Sequence, residues 1–328
     1  MKKNDRRLSY LDMARAIMLV FVILEHTEAN FLSSFVDNFI LSVFWFSSGY
    51  TSRGVVDFSR KAVNILVPYA VMTAICVLFT IFYLERAFEW VDVLGAAYAR
   101  FTMFASAPGQ ENAILMPACN SVLWFLPSFF TAFCFFALLI RISRPIMQAV
   151  GILACLALTW AMTTLPVLLP WSLDTAPAFG AVMYAGYLVR SYGLYERLAY
   201  TWPVVVVCAL IYIAFNCLTG PTNISIRDFG SSVWLWYPAA VSGTLSFVTL
   251  CRMFDRTFFC RMVAWFNRGA LFIFGLQLVF ISLAIDAYEY RVDSWKVRVT
   301  IVLLFCFFGG KLISLLYDLA KRTLRRLL

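Results

Sequence analysis

Apolar runs of about twenty residues recur along the whole chain, each long enough to cross a hydrocarbon core of ~30 Å as a helix. That core offers no water to backbone N–H and C=O groups, so a spanning chain must be helical or a closed barrel. Barrel strands alternate polar and apolar residues at a period of two, and these runs do not. The sequence therefore predicts an all-α fold, a polytopic membrane helical bundle of about ten transmembrane helices. The spans fall at roughly 10–31, 35–51, 62–84, 122–141, 148–166, 175–190, 203–219, 231–250, 269–285 and 299–317. Composition agrees: 62% of residues are hydrophobic and 14% charged, against ~45–50% and ~25% in soluble domains.

The net charge of +9 does not point to nucleic acid, because the charges sit in short loops between apolar runs. Counting span ends, the N-terminus, 52–61, 142–147, 191–202, 251–268 and the C-terminal tail hold twenty lysines and arginines; the alternate loops hold six. This is the positive-inside bias, and it predicts that both termini are cytoplasmic. No long soluble segment interrupts the pattern, so one domain is expected over 1–328. The run after the basic residues 1–7 lacks a small-residue cleavage site and reads as a retained anchor. In the longest outside segment, 85–121, Phe88, Trp90, Val91, Leu94 and Tyr98 form an apolar side at helical spacing. They predict an interfacial or re-entrant helix, broken by the turn-forming run 107–112. The nine cysteines lie mostly in apolar runs and none forms a CxxC. They behave as small hydrophobes, and with one histidine no metal site is expected.

Ionisable side chains inside a span are costly and tend to be kept for function. The first span carries Asp12, Arg15, Glu25, His26 and Glu28, and His26 is the only histidine. Histidine takes and gives protons near neutral pH. Eleven residues separate Arg15 from His26, about three turns and ~16 Å of rise. The two project from one face, with the cation near the cytoplasmic end and the base near the outer end. A snorkelling arginine and a structural histidine are the plain alternative. Glu25, adjacent to His26, lies off that face and is either a lumen-facing group or a headgroup-level charge. Ser47, Ser48 and Gly49, ending the second span, permit close approach of a helix or of a ligand. Arg53, Arg60 and Lys61 precede a span containing Pro68 and Tyr69. They suit anionic lipid headgroups or the phosphates of a ligand, and charge alone favours lipid. Trp124 reads as an interfacial belt aromatic.

Taken together, Leu11-Asp12 and Arg15 followed by ten residues and His26, the Phe46-Ser47-Ser48-Gly49-Tyr50 end of the second span and the basic run leading to Leu66-Val67-Pro68-Tyr69 resemble the membrane-bound acyltransferase-3 family. Leu123-Trp124-Phe125-Leu126 and Gly186-Tyr187-Leu188 are similar to family features too. These are bacterial inner-membrane enzymes that O-acylate cell-surface glycans and related acceptors. Two departures stand out. The loop reads Ser59-Arg60-Lys61-Ala62 in place of an Arg-x-x-Arg pair, and Gln277 stands where a late histidine is common, so proton chemistry falls to His26 alone.

The resemblance implies an acyl-CoA-dependent O-acyltransferase with His26, Arg15 and Glu25 at the catalytic centre. Asp12, Ser48, Tyr50, Arg53, Arg60, Lys61, Tyr69, Trp124 and Gln277 would serve substrate binding. It implies no tightly bound cofactor, acyl-CoA (acetyl-CoA by family habit) as co-substrate, a glycan or lipid-linked sugar as acceptor, and glycan-assembly proteins among the partners. Two other classes compete. A proton-coupled transporter or flippase would use the same polar residues as a pathway, although no internal repeat is evident. A scaffolding subunit would leave Arg15 and His26 silent for activity.

Overall fold

The computed structural model describes residues 8–32, 35–52, 54, 56–87, 89–100, 102–103, 118–197, 201–267, 269–288 and 292–327. Among them the chain is almost entirely helical, in the order α1 Ser9–Glu25, α2 Ser42–Thr51, α3 Phe58–Phe82, α4 Trp90–Tyr98, α5 Phe125–Leu139, α6 Pro145–Met162, α7 Ala176–Ser191, α8 Leu194–Arg197, α9 Trp202–Thr219, α10 Val233–Met253, α11 Phe258–Phe266, α12 Ala270–Tyr288 and α13 Trp295–Leu327. Local signals set several starts. The Asp57 side chain accepts from the Arg60 N–H at the head of α3 (2.9 Å), and Thr257 caps α11 through the Cys260 N–H, each satisfying an orphan first-turn donor. Prolines open α6, α7 and α9, where the missing N–H costs nothing.

A helix lies at every expected span, and the structure is a helical membrane bundle. Among the described residues, seven helical segments are long and apolar enough to cross a bilayer: α3, Ser121–Leu139, α6, α9, α10, α12 and most of α13. The other three expected spans are shorter, α1 with 17 residues, α2 with 10 and α7 with 16. The reason is position. α1, α2 and α7 are buried along most of their length, whereas α6 and α9 turn most side chains outward. Helices sheathed by others need not offer lipid an unbroken apolar surface, so these inner ones can be short and carry polar groups.

α2 and α7 cross at backbone contact. A Cβ on Gly49 would lie 1.7 Å from the Met183 carbonyl oxygen, and one on Gly186 would lie 2.1 Å from that of Phe46. The small residues ending the second span thus serve helix packing at Gly49, while neighbouring Ser48 faces a cavity.

A helix, α4, does form within the 85–121 segment, capped by reciprocal hydrogen bonds of Glu89 and Asp92, with Trp90 and Leu94 exposed. Phe88 and the break at 107–112 lie outside the described residues. Tyr69 donates to the Ala96 carbonyl (2.6 Å), Tyr98 to that of Leu168 (2.6 Å) and the Trp171 indole to that of Ala97 (2.8 Å), strapping α4 to the loop before α7. Beneath this loop Asp174 pairs with both Arg100 and Arg227 in a buried triad. Arg100 Nη1 continues to the Ser225 carbonyl (2.7 Å) and Arg227 Nη1 to that of Val167 (3.0 Å). The triad ties the loops before α5, α7 and α10 into one outer cap.

Candidate active site

Two cavities enter the bundle from opposite ends. The inner one, about 360 Å³, is lined by Arg15, Ser48, Lys61, Asn267 and the rings of Phe44, Phe125, Phe129 and Phe274, among others. The outer one, about 620 Å³, is lined by Glu25, His26, Asp37, Trp124, Asn223, Phe274 and Gln277, among others. Phe274 belongs to both walls. It sits 4.8 Å from the Phe125 ring and 6.3 Å from the Phe44 ring, which are themselves 5.9 Å apart. Three phenyl groups therefore stand where the cavities meet.

The inner cavity is basic. Arg15 points into it from α1 and pairs with Asp12 at 3.7 Å. Asp12 is buried and accepts from Asn267 Nδ2 at 2.7 Å. Asp12 does not line the cavity, so its part is to aim Arg15 and Asn267. Lys61 donates to Ser48 Oγ (3.2 Å) and lies 5.0 Å from the centres of the Phe129 and Phe133 rings. A cation held against aromatic faces leaves remaining donors for an anion entering the cavity.

The outer cavity holds the base. His26 is the C-cap of α1, its N–H bonded to the Ile23 carbonyl (3.1 Å), and its ring opens into the cavity. The carboxyl groups of Glu25 and Asp37 both line this cavity beside it. Asp37 comes from the turns before α2, pinned to α9 by Asn38 Nδ2 donating to Asn216 Oδ1 (2.6 Å). Gln277 is fully buried on α12, and neither amide atom has a protein partner.

The shared face predicted for Arg15 and His26 thus opens onto two cavities with one common wall. Of the predicted residues, His26, Glu25, Trp124 and Gln277 gather in the outer cavity and Arg15, Ser48 and Lys61 in the inner one. Others lie elsewhere. Tyr50 is buried among Tyr10, Tyr195 and Arg190, whose Nη1 donates to its carbonyl (3.0 Å). The Tyr69 hydroxyl is spent on α4. Arg60 is exposed at the start of α3, away from both linings. Arg53 lies outside the described residues. Sequence reasoning missed Asp37, although a carboxylate inside a predicted span is a signal of the kind that found His26. It also missed Asn267, an uncharged loop residue with no local signal, and the rings of Phe44, Phe125 and Phe274, indistinguishable in sequence from other core aromatics.

The fold and these cavities define a membrane-embedded helical protein with a cation-lined entrance at one end and a histidine pocket at the other. The family model for an acyltransferase domain, of the acyltransferase-3 type, matches residues 8–316. The chain belongs to this family and is a multi-pass membrane acyltransferase. No curated protein and no solved structure matches it.

Proposed function

We propose that this acyltransferase moves an acyl group, acetyl by family habit, from cytoplasmic acyl-CoA to a hydroxyl of a surface glycan, lipid-linked sugar or similar acceptor, in the cytoplasmic membrane of a bacterium. The observation that carries this reading is the pair of opposed cavities meeting at Phe274. The charge bias of the loops assigns the basic cavity to the cytoplasm, where acyl-CoA is found. Arg15 and Lys61 there offer charge-assisted hydrogen bonds to its phosphates. Both volumes lie in the usual range for small-ligand sites, ~300–1,000 Å³, the inner one suited to a slender pantetheine arm and the outer to a sugar. Phe44, Phe125 and Phe274 must part for the thioester to pass.

In the outer cavity the sequence of events is simple. His26 takes the proton of the acceptor hydroxyl as the oxygen attacks the thioester carbonyl carbon. The tetrahedral oxyanion collapses, the C–S bond breaks and the CoA thiolate leaves, recovering the proton from the imidazolium. General-base assistance of this kind contributes ~10²–10⁴-fold, and holding both substrates at one wall supplies much of the rest. Glu25 and Asp37 offer acceptor oxygens to sugar hydroxyls beside the base. Purified protein given acetyl-CoA and a glycan fraction from the source cells should release free thiol, and His26→Ala should abolish this. Turnover that persists in His26→Ala would overturn the mechanism.

A further inference from the structure

The reaction above builds negative charge on the thioester oxygen, and a buried donor is needed to receive it. Donors preorganised at that point are commonly the largest single contribution to acyl-transfer catalysis. Among the described residues several buried polar atoms lack a hydrogen-bond partner, and of these only those of Asp37 and Gln277 also line the His26 cavity. Asp37 is a carboxyl group, whose charged form accepts hydrogen bonds and donates none. Gln277 is different: its residue exposure is 0%, and both Nε2 and Oε1 are without a partner. Folding leaves such a group unsatisfied at a cost of ~1–3 kcal/mol per atom, and native proteins rarely tolerate that without a use.

Its position fits one use. Gln277 follows Phe274 by three residues on α12, so it stands one turn beyond the ring shared by the two cavities, on the histidine side. The helix cannot slide there. A Cβ on Gly275 would meet Met72 Sδ at 2.4 Å and Leu123 Cδ2 at 2.8 Å, so α12 is pressed against its neighbours at this level. Two other neutral donors on the cavity wall are less suitable. Asn223 is exposed, and Ser225 Oγ is spent on Asn223 Oδ1 (2.5 Å). A neutral amide in a dry site donates more strongly than one competing with water, and it takes no proton from His26.

We propose that Gln277 is a catalytic residue whose Nε2–H donates to the thioester oxygen as it becomes an oxyanion. As the acceptor oxygen bonds to the carbonyl carbon, the C=O π pair moves onto oxygen and is held by this donor. It returns to re-form C=O as the C–S pair departs with CoA. The Oε1 atom is left to accept from a ligand N–H or O–H in the same complex. This assignment rests on the acyl-CoA reading above.

The test uses the full chain in lipid nanodiscs, with acetyl-CoA as donor and the glycan fraction from the source cells as acceptor. Gln277→Met keeps the volume and removes the donor, and Gln277→Leu is a second apolar variant. Each should lower kcat by ~10²–10³-fold, the usual loss for one oxyanion donor, with the KM for acetyl-CoA within about twofold of the parent. The melting temperature should hold or rise, because an unsatisfied buried amide has been removed. Gln277→Asn, which keeps the donor on a shorter arm, should recover part of the rate. Apolar variants that turn over at the parental rate would overturn the assignment, as would a fall in melting temperature that accounts for the lost rate. If the parent protein itself releases no thiol, it is the acyl-CoA reading that fails.

Discussion

Gly49→Ala is the most direct test of how the interior helices set the site. The added methyl carbon would fall 1.7 Å from the Met183 carbonyl oxygen, 2.6 Å from its carbon and 3.0 Å from its Cα. Every atom in the way is backbone, so no rotamer change relieves the clash. α2 and α7 must move apart by more than an ångström to reach ordinary contact. Overpacking a well-filled core costs ~1–3 kcal/mol, occasionally more, and a backbone obstacle places this change at or above the upper end. The shift also reaches the inner cavity, because α2 carries Phe44 and Ser48 into its wall. Misplacing a reacting group by ~1 Å can cost ~10²-fold in rate. Gly151→Ala is the control. Its new Cβ would meet only the tips of Ile142 and Leu139, each at 2.9 Å, and alanine in a helix interior gains ~1 kcal/mol over glycine. Thermal unfolding in detergent, read with thiol release, should show Gly49→Ala melting at least ~5 °C lower, by the usual few degrees per kcal/mol, and turning over ~10²-fold more slowly. Gly151→Ala should match or exceed the parent. A Gly49→Ala protein with parental melting and rate would refute the backbone-contact argument.

Two further outcomes follow from the charged groups. Asp174→Ala strands the Arg100 and Arg227 guanidinium groups, both buried, and should cost ~3–5 kcal/mol, read as a large fall in melting temperature. Because Arg100 also holds the Ser225 carbonyl on the outer cavity wall, any active Asp174→Ala protein should show a raised KM for the acceptor more than for acetyl-CoA. Lys61→Met removes a cation from the inner cavity while keeping its apolar stem against Phe129 and Phe133. Loss of one charge-assisted hydrogen bond, ~1.5–3 kcal/mol, should raise the KM for acetyl-CoA ~10–150-fold with little change in kcat. An unchanged KM would separate Lys61 from donor binding.

Much of this molecule was written in its amino-acid order. A bilayer core forces each long apolar run into a helix, so the all-α class and a helix within every expected span followed from hydrophobicity alone. The rarity of charge in such runs singled out Arg15, Glu25 and His26, and all three face cavities. Local pattern did not distinguish enclosed helices from lipid-facing ones, so α1, α2 and α7 looked like ordinary spans although they are shorter and sheathed by the rest. Nor did it divide the site. Whether Arg15 and His26 share one chamber depends on rings contributed by α2, α5 and α12, and Phe44, Phe125 and Phe274 are far apart in the chain. Asn267 meets Asp12 across 255 positions. Tyr50 and Tyr69 carry residue types suited to a site, but the fold gave one a place in an aromatic cluster and bonded the other to α4. A sequence sets the solvent each segment can tolerate. Which side chains meet, and which buried amide is left without a partner, is decided only when helices distant in the chain are pressed together.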